Sequence, residues 1–451
     1  MKYVRFLFTN EIFEDKKLFK KILTIILIGI LIRLAFMPFT AHNDFLSEHI
    51  RVEYILYHKE PFAITGQYLS HYIDAAFLLV SSTLIPEHDQ LFKLPGVEGS
   101  ESTAGISDFF NFLRTKYAFR VIFLLKFPYL LADLFCVFLL LRLVGKKNAV
   151  WAIAFWMFNP LSIYTIYIFG RFEIYAVAFL LLAFLFAMRE KPLLASFMLG
   201  LAIASRSYML MFIPLFCFLI STKWRTAVLS LLISISPIAI YSIFANLLGS
   251  GPFFYKSVPT SNAISSLIEG GFLGLALVPQ IKIGSFNLFI IPAIVLLFYV
   301  CALIRRERGY EAIIKYSSLI ILAYFAFAKF SIHWFYWLSP FFVILFAKIK
   351  ELRWLVWVIF PIWFIHSALF SDVGAFTLYL FSPLHPEYFG IQPNLSMIIG
   401  YLVENLKPGP GMRQFMDRAF LINILRTALT VFLYWIAIRI LKSSSNELKT
   451  K

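Results

Sequence analysis

Residues 22 to 38 read ILTIILIGILIRLAFMP, an apolar run broken by a single arginine and closed by a proline, and runs of this kind recur along the whole chain. A β-barrel would need segments of about ten residues that alternate apolar and polar, so continuous runs of this length are helices. They approach the length required to cross a hydrocarbon core about 30 Å thick. The bulk composition fits a bilayer as solvent. Of the 451 residues, 60% are apolar and only 15% charged, where a soluble domain carries about 25% charged residues, so polar material is too scarce to cover a water-facing surface. With 52 Phe, 3 Cys and aperiodic Gly and Pro, the chain is neither disordered, nor collagen-like, nor a disulfide scaffold. Cys136, Cys217 and Cys301 lie in apolar runs without CxxC spacing and read as core residues. The expected fold is an all-α polytopic membrane protein forming one integral membrane domain over 1–451.

A formal charge of +16 would suit a nucleic-acid ligand, but the cations sit in short links beside the apolar runs, so no nucleic-acid partner is expected. Lys16/Lys17/Lys20/Lys21, Lys146/Lys147, Arg189/Lys191, Lys223/Arg225, Arg305/Arg306/Arg308, Lys348/Lys350/Arg353 and the tail from Lys442 instead mark cytoplasmic ends. Placing them all inside gives spans near 22–38, 120–144, 149–168, 173–188, 226–247, 286–303, 313–330, 335–347, 353–370 and 419–440, with both termini cytoplasmic. Segments 194–205 and 207–220 are too short to cross alone and form a hairpin that turns at Ser205-Arg206-Ser207, giving about twelve helical pieces. The first run lacks a small-residue cleavage site, so no cleaved signal peptide is expected. Long loops at 39–119, 248–285 and 371–418 then fall outside, and activity is expected on that face. Within the first loop, 68–86 is an interfacial or re-entrant helix.

Charged residues gather at the outer ends of these spans. After Pro38 a helix can begin at Asn43 or Asp44 and lie along the membrane surface, with Asp44, Glu48 and Arg51 at i, i+4 and i+7 on one polar stripe. Asp44 presents a carboxylate able to take a proton from an acceptor hydroxyl, or it merely caps the helix. Arg206 interrupts an apolar hairpin, where an arginine costs roughly 2.5 to 3.5 kcal/mol at mid-membrane. Its planar fork suits a phosphate, although it could also snorkel to headgroups. Lys126 and Asp133 are seven residues apart and can pair along one helix face. Arg33, Glu173 with its neighbour Arg171, and His333 with Trp334 complete a set at the outer level. Glu173 could equally serve a helix N-terminus, and Trp334 and Trp337 an aromatic belt. Nucleotide-binding, zinc-protease and serine-hydrolase motifs are absent from the sequence.

In order, these residues resemble the pattern of GT-C superfamily membrane glycosyltransferases. The match runs through Arg33, Asp44, Lys126-x-Pro128 with Asp133, Asn159-Pro160, Gly170-x-Phe172-Glu173, the run from Gly200 to Arg206 with Pro214, and His333 to Pro340, over roughly residues 20 to 345. The resemblance implies a GT-C-like bundle and transfer of a hexose, with mannose favoured by analogy, from a polyprenyl-phosphate donor in the outer leaflet to a lipid, glycan or protein acceptor. Asp44 would be the base, the anomeric centre would invert, and Arg206 would hold the departing phosphate. Glu173, His333, Arg33, Glu48, Arg51, Arg171 and Trp334 would line the substrates. Many mannosyl-transferring members carry Asp-x-Asp where this chain has His42-Asn43-Asp44. Hard divalent cations prefer all-oxygen ligands, so a metal-independent, cofactor-free reaction is expected. The membrane would be a prokaryotic plasma membrane or the endoplasmic reticulum. Two rivals use the same outer cavity: a transporter or flippase for an anionic lipid-linked substrate, and a ligase or polymerase with a lipid-diphosphate donor, which would want more cations around Arg206.

Overall fold

A computed structural model describes residues 14–56, 67–85, 106–221, 223–247, 280–283, 286–328, 330–370, 378–389, 401 and 418–442. Most of the expected loops 248–285 and 371–418, and the stretches 57–66 and 86–105 of the first loop, lie outside the described residues.

The described chain is almost wholly helical. Helix α1 (Lys16–Phe36) starts at Asp15, whose side chain accepts from the Leu18 amide at 3.1 Å, and stops just before Pro38. Two helices of the first loop follow, α2 (Asn43–Leu56) and α3 (Tyr68–Ser81), then the short α4 (Ile106–Leu113) and the 27-residue α5 (Ala118–Val144). Next come α6 (Ala149–Met157), α7 (Glu173–Met188), α8 (Pro192–Ser205), α9 (Ile213–Ile220) and α10 (Trp224–Leu247). Strands β1 (Gln280–Ile283) and β2 (Phe286–Phe289) pair antiparallel, with Gln280 opposite Phe289. The chain closes with α11 (Ile290–Ile304), α12 (Tyr310–Phe327), α13 (Ser339–Lys348), α14 (Val356–Phe370) and α15 (Arg418–Lys442).

Among the described residues, five segments are long and apolar enough to cross a bilayer: Ala118–Val144, Lys146–Phe169, Trp224–Ala245, Tyr310–Phe327 and Leu421–Lys442. The protein is therefore an integral membrane protein. Other apolar helices among the described residues, including α7, α8 and α11, are shorter, and the expected count of about twelve helical pieces is not established by them. The hairpin β1–β2 also departs from the all-α expectation and takes the first residues of the anticipated 286–303 span. Alternation of Ile and Phe with polar residues about a Gly-Ser link favours strand pairing there.

Burial separates interior from lipid-facing elements. Helices α7 and α12 are enclosed nearly all round, whereas α10 exposes Leu232, Ile240 and Phe244, as a helix bordering hydrocarbon does. The hairpin forms as the sequence suggests: α8 ends at Ser205, Arg206 takes an extended backbone, and a 3-10 turn (Ser207–Phe212) leads into α9. The helix at 43–56, expected along the surface, is instead sunk into the protein, with Phe45, Leu46, Glu48, His49 and Val52 all buried. Helix α3 turns Ser70, His71, Asp74, Ala75 and Leu78 inward and packs on α2, α5 and α8.

Candidate functional site

The site is assembled by the irregular joint that follows α6. Asn159 accepts from the Leu161 amide at 3.0 Å, with Pro160 at the first helical position, so the Asn-Pro pair ends α6 and restarts the chain as a wider turn over Ile163–Phe169. That turn closes at Gly170, whose φ of +90° lies in the left-handed region. A Cβ there would lie 2.8 Å from Phe45 Cδ2, so the absent side chain also lets α2 approach. His42 donates its amide to the Phe169 carbonyl at 3.1 Å, fixing the start of α2 against the same joint. Arg171, Phe172 and Glu173 are thereby delivered beside Asp44 and Glu48.

Three carboxylates and three guanidiniums interlock there. Arg171 Nη1 lies 2.6 Å from Glu48 Oε1 and 3.6 Å from Asp44 Oδ2, and its Nε is 3.9 Å from Glu173 Oε1. Glu48 Oε2 also accepts from Arg51 at 2.8 Å and faces His71 Nε2 at 3.5 Å. Arg206 forks onto both oxygens of Glu173. Glu173 is further approached by His333 Nε2 at 3.7 Å and by the Trp337 indole N–H at 3.5 Å. The Phe172 ring forms a shared floor, 4.6 Å from the Arg206 guanidinium and 5.4 Å from that of Arg171. Trp334 stacks on Trp337 at 5.2 Å, and Trp337 on Tyr208 at 3.6 Å, giving an aromatic wall.

Exposure differentiates the acids. The Asp44 side chain is 40% exposed, while those of Glu48 and Glu173 are 2% and 0%. Burial alone would raise the Asp44 carboxyl, but the hydrogen bond from His42 and the Arg171 charge hold it well below the usual carboxylate range. Glu48 is likewise raised by burial and then drawn down to about 2, chiefly by Arg51 and Arg171. Burial would lower Arg171, yet Glu48, Asp44 and Glu173 raise it, so it remains charged. His71 and His49 are pushed down to about 3 by burial and stay neutral.

Asp44, Glu48, Arg51, Arg171, Glu173, Arg206, His333 and Trp334 thus meet in one region, and positions 44 and 206 are joined through Arg171 and Glu173. Arg33 does not join them. Its Nε donates to Asp133 at 2.6 Å and its Nη1 to the Met157 carbonyl at 2.7 Å, with Trp156 and Tyr167 also donating to Asp133. The Lys126–Asp133 pair is not formed either: Lys126 donates to the Tyr167 carbonyl at 2.6 Å and to that of Thr40, satisfying backbone at two segment ends. Asp133 goes to Arg33 because α1 and α6 pack together and bring stronger donors to it. His71, Phe172, Tyr208 and Trp337 were not anticipated as site residues. His71 and Asp74, spaced i, i+3 in an otherwise apolar segment, were the available signal. Among the described residues, no group of three or more His, Cys, Asp or Glu side chains is placed to hold a metal ion.

Between α6 and α14 lies a cavity of 780 Å³, bordered by Trp151, Phe155, Phe158, Trp357, Phe360 and Trp363. It is apart from the charged region, but aromatic contacts lead from one to the other. Trp363 meets Tyr164 at 5.7 Å, Tyr164 meets Phe169 at 6.0 Å, and Phe169 stacks on both His42 and His333.

Neither the curated proteins nor the solved structures contain a match to this chain. Residues 109–320, which include Gly170 to Glu173 and the hairpin that turns at Arg206, match the model of glycosyltransferase family 87, a GT-C-type membrane glycosyltransferase family, and the protein is accordingly an enzyme of that type.

Proposed function

We propose that the protein transfers a hexose, mannose or a close relative, from a polyprenyl-phosphate donor to an acceptor hydroxyl at the extracytoplasmic face, inverting the anomeric centre. One observation carries this reading: a half-exposed carboxylate, Asp44, shares a cluster with two arginines, Arg171 and Arg206, on a chain whose family is glycosyltransferase. The acceptor oxygen attacks the anomeric carbon while the bond from that carbon to the phosphate oxygen breaks. The electron pair leaves with the phosphate, and the acceptor proton passes to Asp44. A phosphate departs without protonation, so no second acid is required, in contrast to glycoside hydrolysis.

Arg171 and Arg206 supply fixed positive charge where the phosphate develops its own negative charge. Their present partners, Glu48 and Glu173, keep them oriented and desolvated. A carboxylate held far below neutral is a weak base, and Arg171 is one cause of that. A donor phosphate drawing on Arg171 would relax its hold on Asp44 and raise the basicity of the carboxylate as the donor arrives. The apolar cavity between α6 and α14 would house part of the isoprenoid chain, and His333, Trp334 and Arg51 would contact sugar or acceptor. With these arginines at the phosphate, the transfer is proposed to run without a divalent cation.

The donor class is tested in membrane vesicles supplied with radiolabelled polyprenyl-phosphate mannose, polyprenyl-phosphate glucose or the matching nucleotide sugars. Label should pass to a lipid-, glycan- or protein-bound product from a polyprenyl phosphate sugar alone. Direct use of nucleotide sugars in washed vesicles lacking polyprenyl phosphate would refute the proposal. Movement of intact donor across the bilayer without bond cleavage would point to a flippase.

A further inference from the structure

Asp74 is the one acid near the site that meets no cation among the described residues. It is 3% exposed, and the partners of its carboxyl are the hydroxyls of Tyr175, at 2.5 Å from Oδ1, and Tyr129, at 3.3 Å from Oδ2. Apart from those two hydroxyls, its surroundings offer nothing to stabilise an anion. Helix α7 presents Tyr175, α5 presents Tyr129, α2 contributes the charge of Glu48, and α3 itself offers only the buried, neutral His71 one turn earlier. Helix α8, which also packs on α3, contains no titratable residue between Pro192 and Ser205. Two phenols can complete a neutral carboxylic acid, one hydroxyl donating to the carbonyl oxygen and the other accepting the acid proton. They cannot replace a counter-ion for a buried carboxylate.

The adjoining cluster makes this consequential. Asp44, Glu48 and Glu173 are matched by Arg51, Arg171 and Arg206, so the formal charges balance. A further negative charge at Asp74 would leave the region net anionic.

We propose that Asp74 is a positioning residue that works as a neutral acid, tying α3 to α5 and α7 so that His71 stays against Glu48, and that its ionisation weakens the anion site. This rests on the polyprenyl-phosphate reading for the identity of the anion. Burial, followed by the Glu48 charge, outweighs the two tyrosine hydrogen bonds and raises Asp74 to about 8, so the acid form dominates at neutral pH and is lost above it. By reciprocity, an anion that raises the Asp74 value by one unit binds about tenfold more weakly once Asp74 has ionised.

The test compares wild type, Asp74→Asn and Tyr175→Phe. The probe is a short polyprenyl phosphate whose Kd is read by tryptophan fluorescence in detergent between pH 7 and 9. Infrared spectra over the same range report the carboxylic-acid C=O band. In wild type the Kd should rise about fivefold between pH 7 and 9 relative to that of Asp74→Asn measured at the same pH, the full tenfold being approached only above pH 9; ionisation of the probe itself is common to both proteins. An acid band absent from Asp74→Asn should fade over the same interval, with its midpoint displaced in Tyr175→Phe. A Kd that changes identically in wild type and Asp74→Asn would overturn the proposal, as would the lack of an Asp74 acid band at pH 7. Failure of every variant to bind the probe would instead sink the donor reading, while the infrared band would still report the state of Asp74.

Discussion

Glu48 offers a quantitative test of the charge balance, because it is the acid on which two helices and the Gly170 joint converge. Its side chain is 2% exposed and accepts from Arg171 at 2.6 Å and Arg51 at 2.8 Å. Glu48→Gln preserves the shape and one acceptor oxygen but removes the charge. Arg171 keeps Asp44 and Glu173 within 4 Å, whereas Arg51, 18% exposed, loses the Glu48 charge 2.8 Å from its Nη1. Removing one partner of a buried pair typically costs 3–5 kcal/mol, and partial water access to Arg51 with retained partners for Arg171 places the expected loss near the lower end, at about 3 kcal/mol. Arg51→Gln at a more exposed position should cost about 1 kcal/mol. The double variant removes both charges and should cost less than the sum of the singles, by about 1 kcal/mol or more. Stability is followed in lipid nanodiscs by the loss of native tryptophan fluorescence on denaturant titration. A Glu48→Gln variant within about 0.5 kcal/mol of wild type, or strict additivity with Arg51→Gln, would refute the view that Glu48 compensates these cations.

Two further outcomes follow from the same geometry. Gly170→Ala must adopt a φ of +90° and place its Cβ 2.8 Å from Phe45 Cδ2, so it should lower stability by about 1–3 kcal/mol and reduce transfer, with Phe45→Ala relieving the clash but not the strained φ. His49 and His71 are both held neutral to about pH 3, whereas an unfolded histidine protonates near 6.5. The unfolded chain therefore binds more protons below pH 6.5, and the stability contributed by the neutral rings is full above that value and lost as pH falls towards 3. The slope is about 1.4 kcal/mol per pH unit per histidine, so thermal midpoints measured at pH 7.5 and 5.5 should differ less in His49→Gln than in wild type; an equal difference would contradict the assignment.

The elements carrying strong local signals were legible in the sequence. Pro38 and the Asn43-Asp44 pair marked the gap between α1 and α2, and the short apolar pieces flanking Arg206 marked a hairpin whose turn residue is indeed non-helical. Partner choice was not legible. Lys126 and Asp133 do share a buried helix, but helical spacing says which residues lie on one face and nothing about which neighbouring helix meets that face, so the Arg33–Asp133 pair was out of reach. The bidentate grip of Arg206 on Glu173 was hidden for the same reason, although both residues were singled out separately. Burial of α2 also escaped its polar stripe, because Glu48 and Arg51 look solvent-facing until Arg171 is delivered to them by the turn at Gly170. His71 and Asp74 lay in a segment apolar enough to read as interfacial, and only its packing against α5 and α7 reveals a polar inner face.

The most direct test is single-turnover transfer by purified protein in proteoliposomes loaded with polyprenyl-phosphate mannose, comparing wild type with Asp44→Asn. Donor binding is measured in parallel. If Asp44 accepts the acceptor proton, the variant should bind donor near the wild-type level yet release polyprenyl phosphate at least about 100-fold more slowly. Release at the wild-type rate from a folded, donor-binding Asp44→Asn protein would contradict the account.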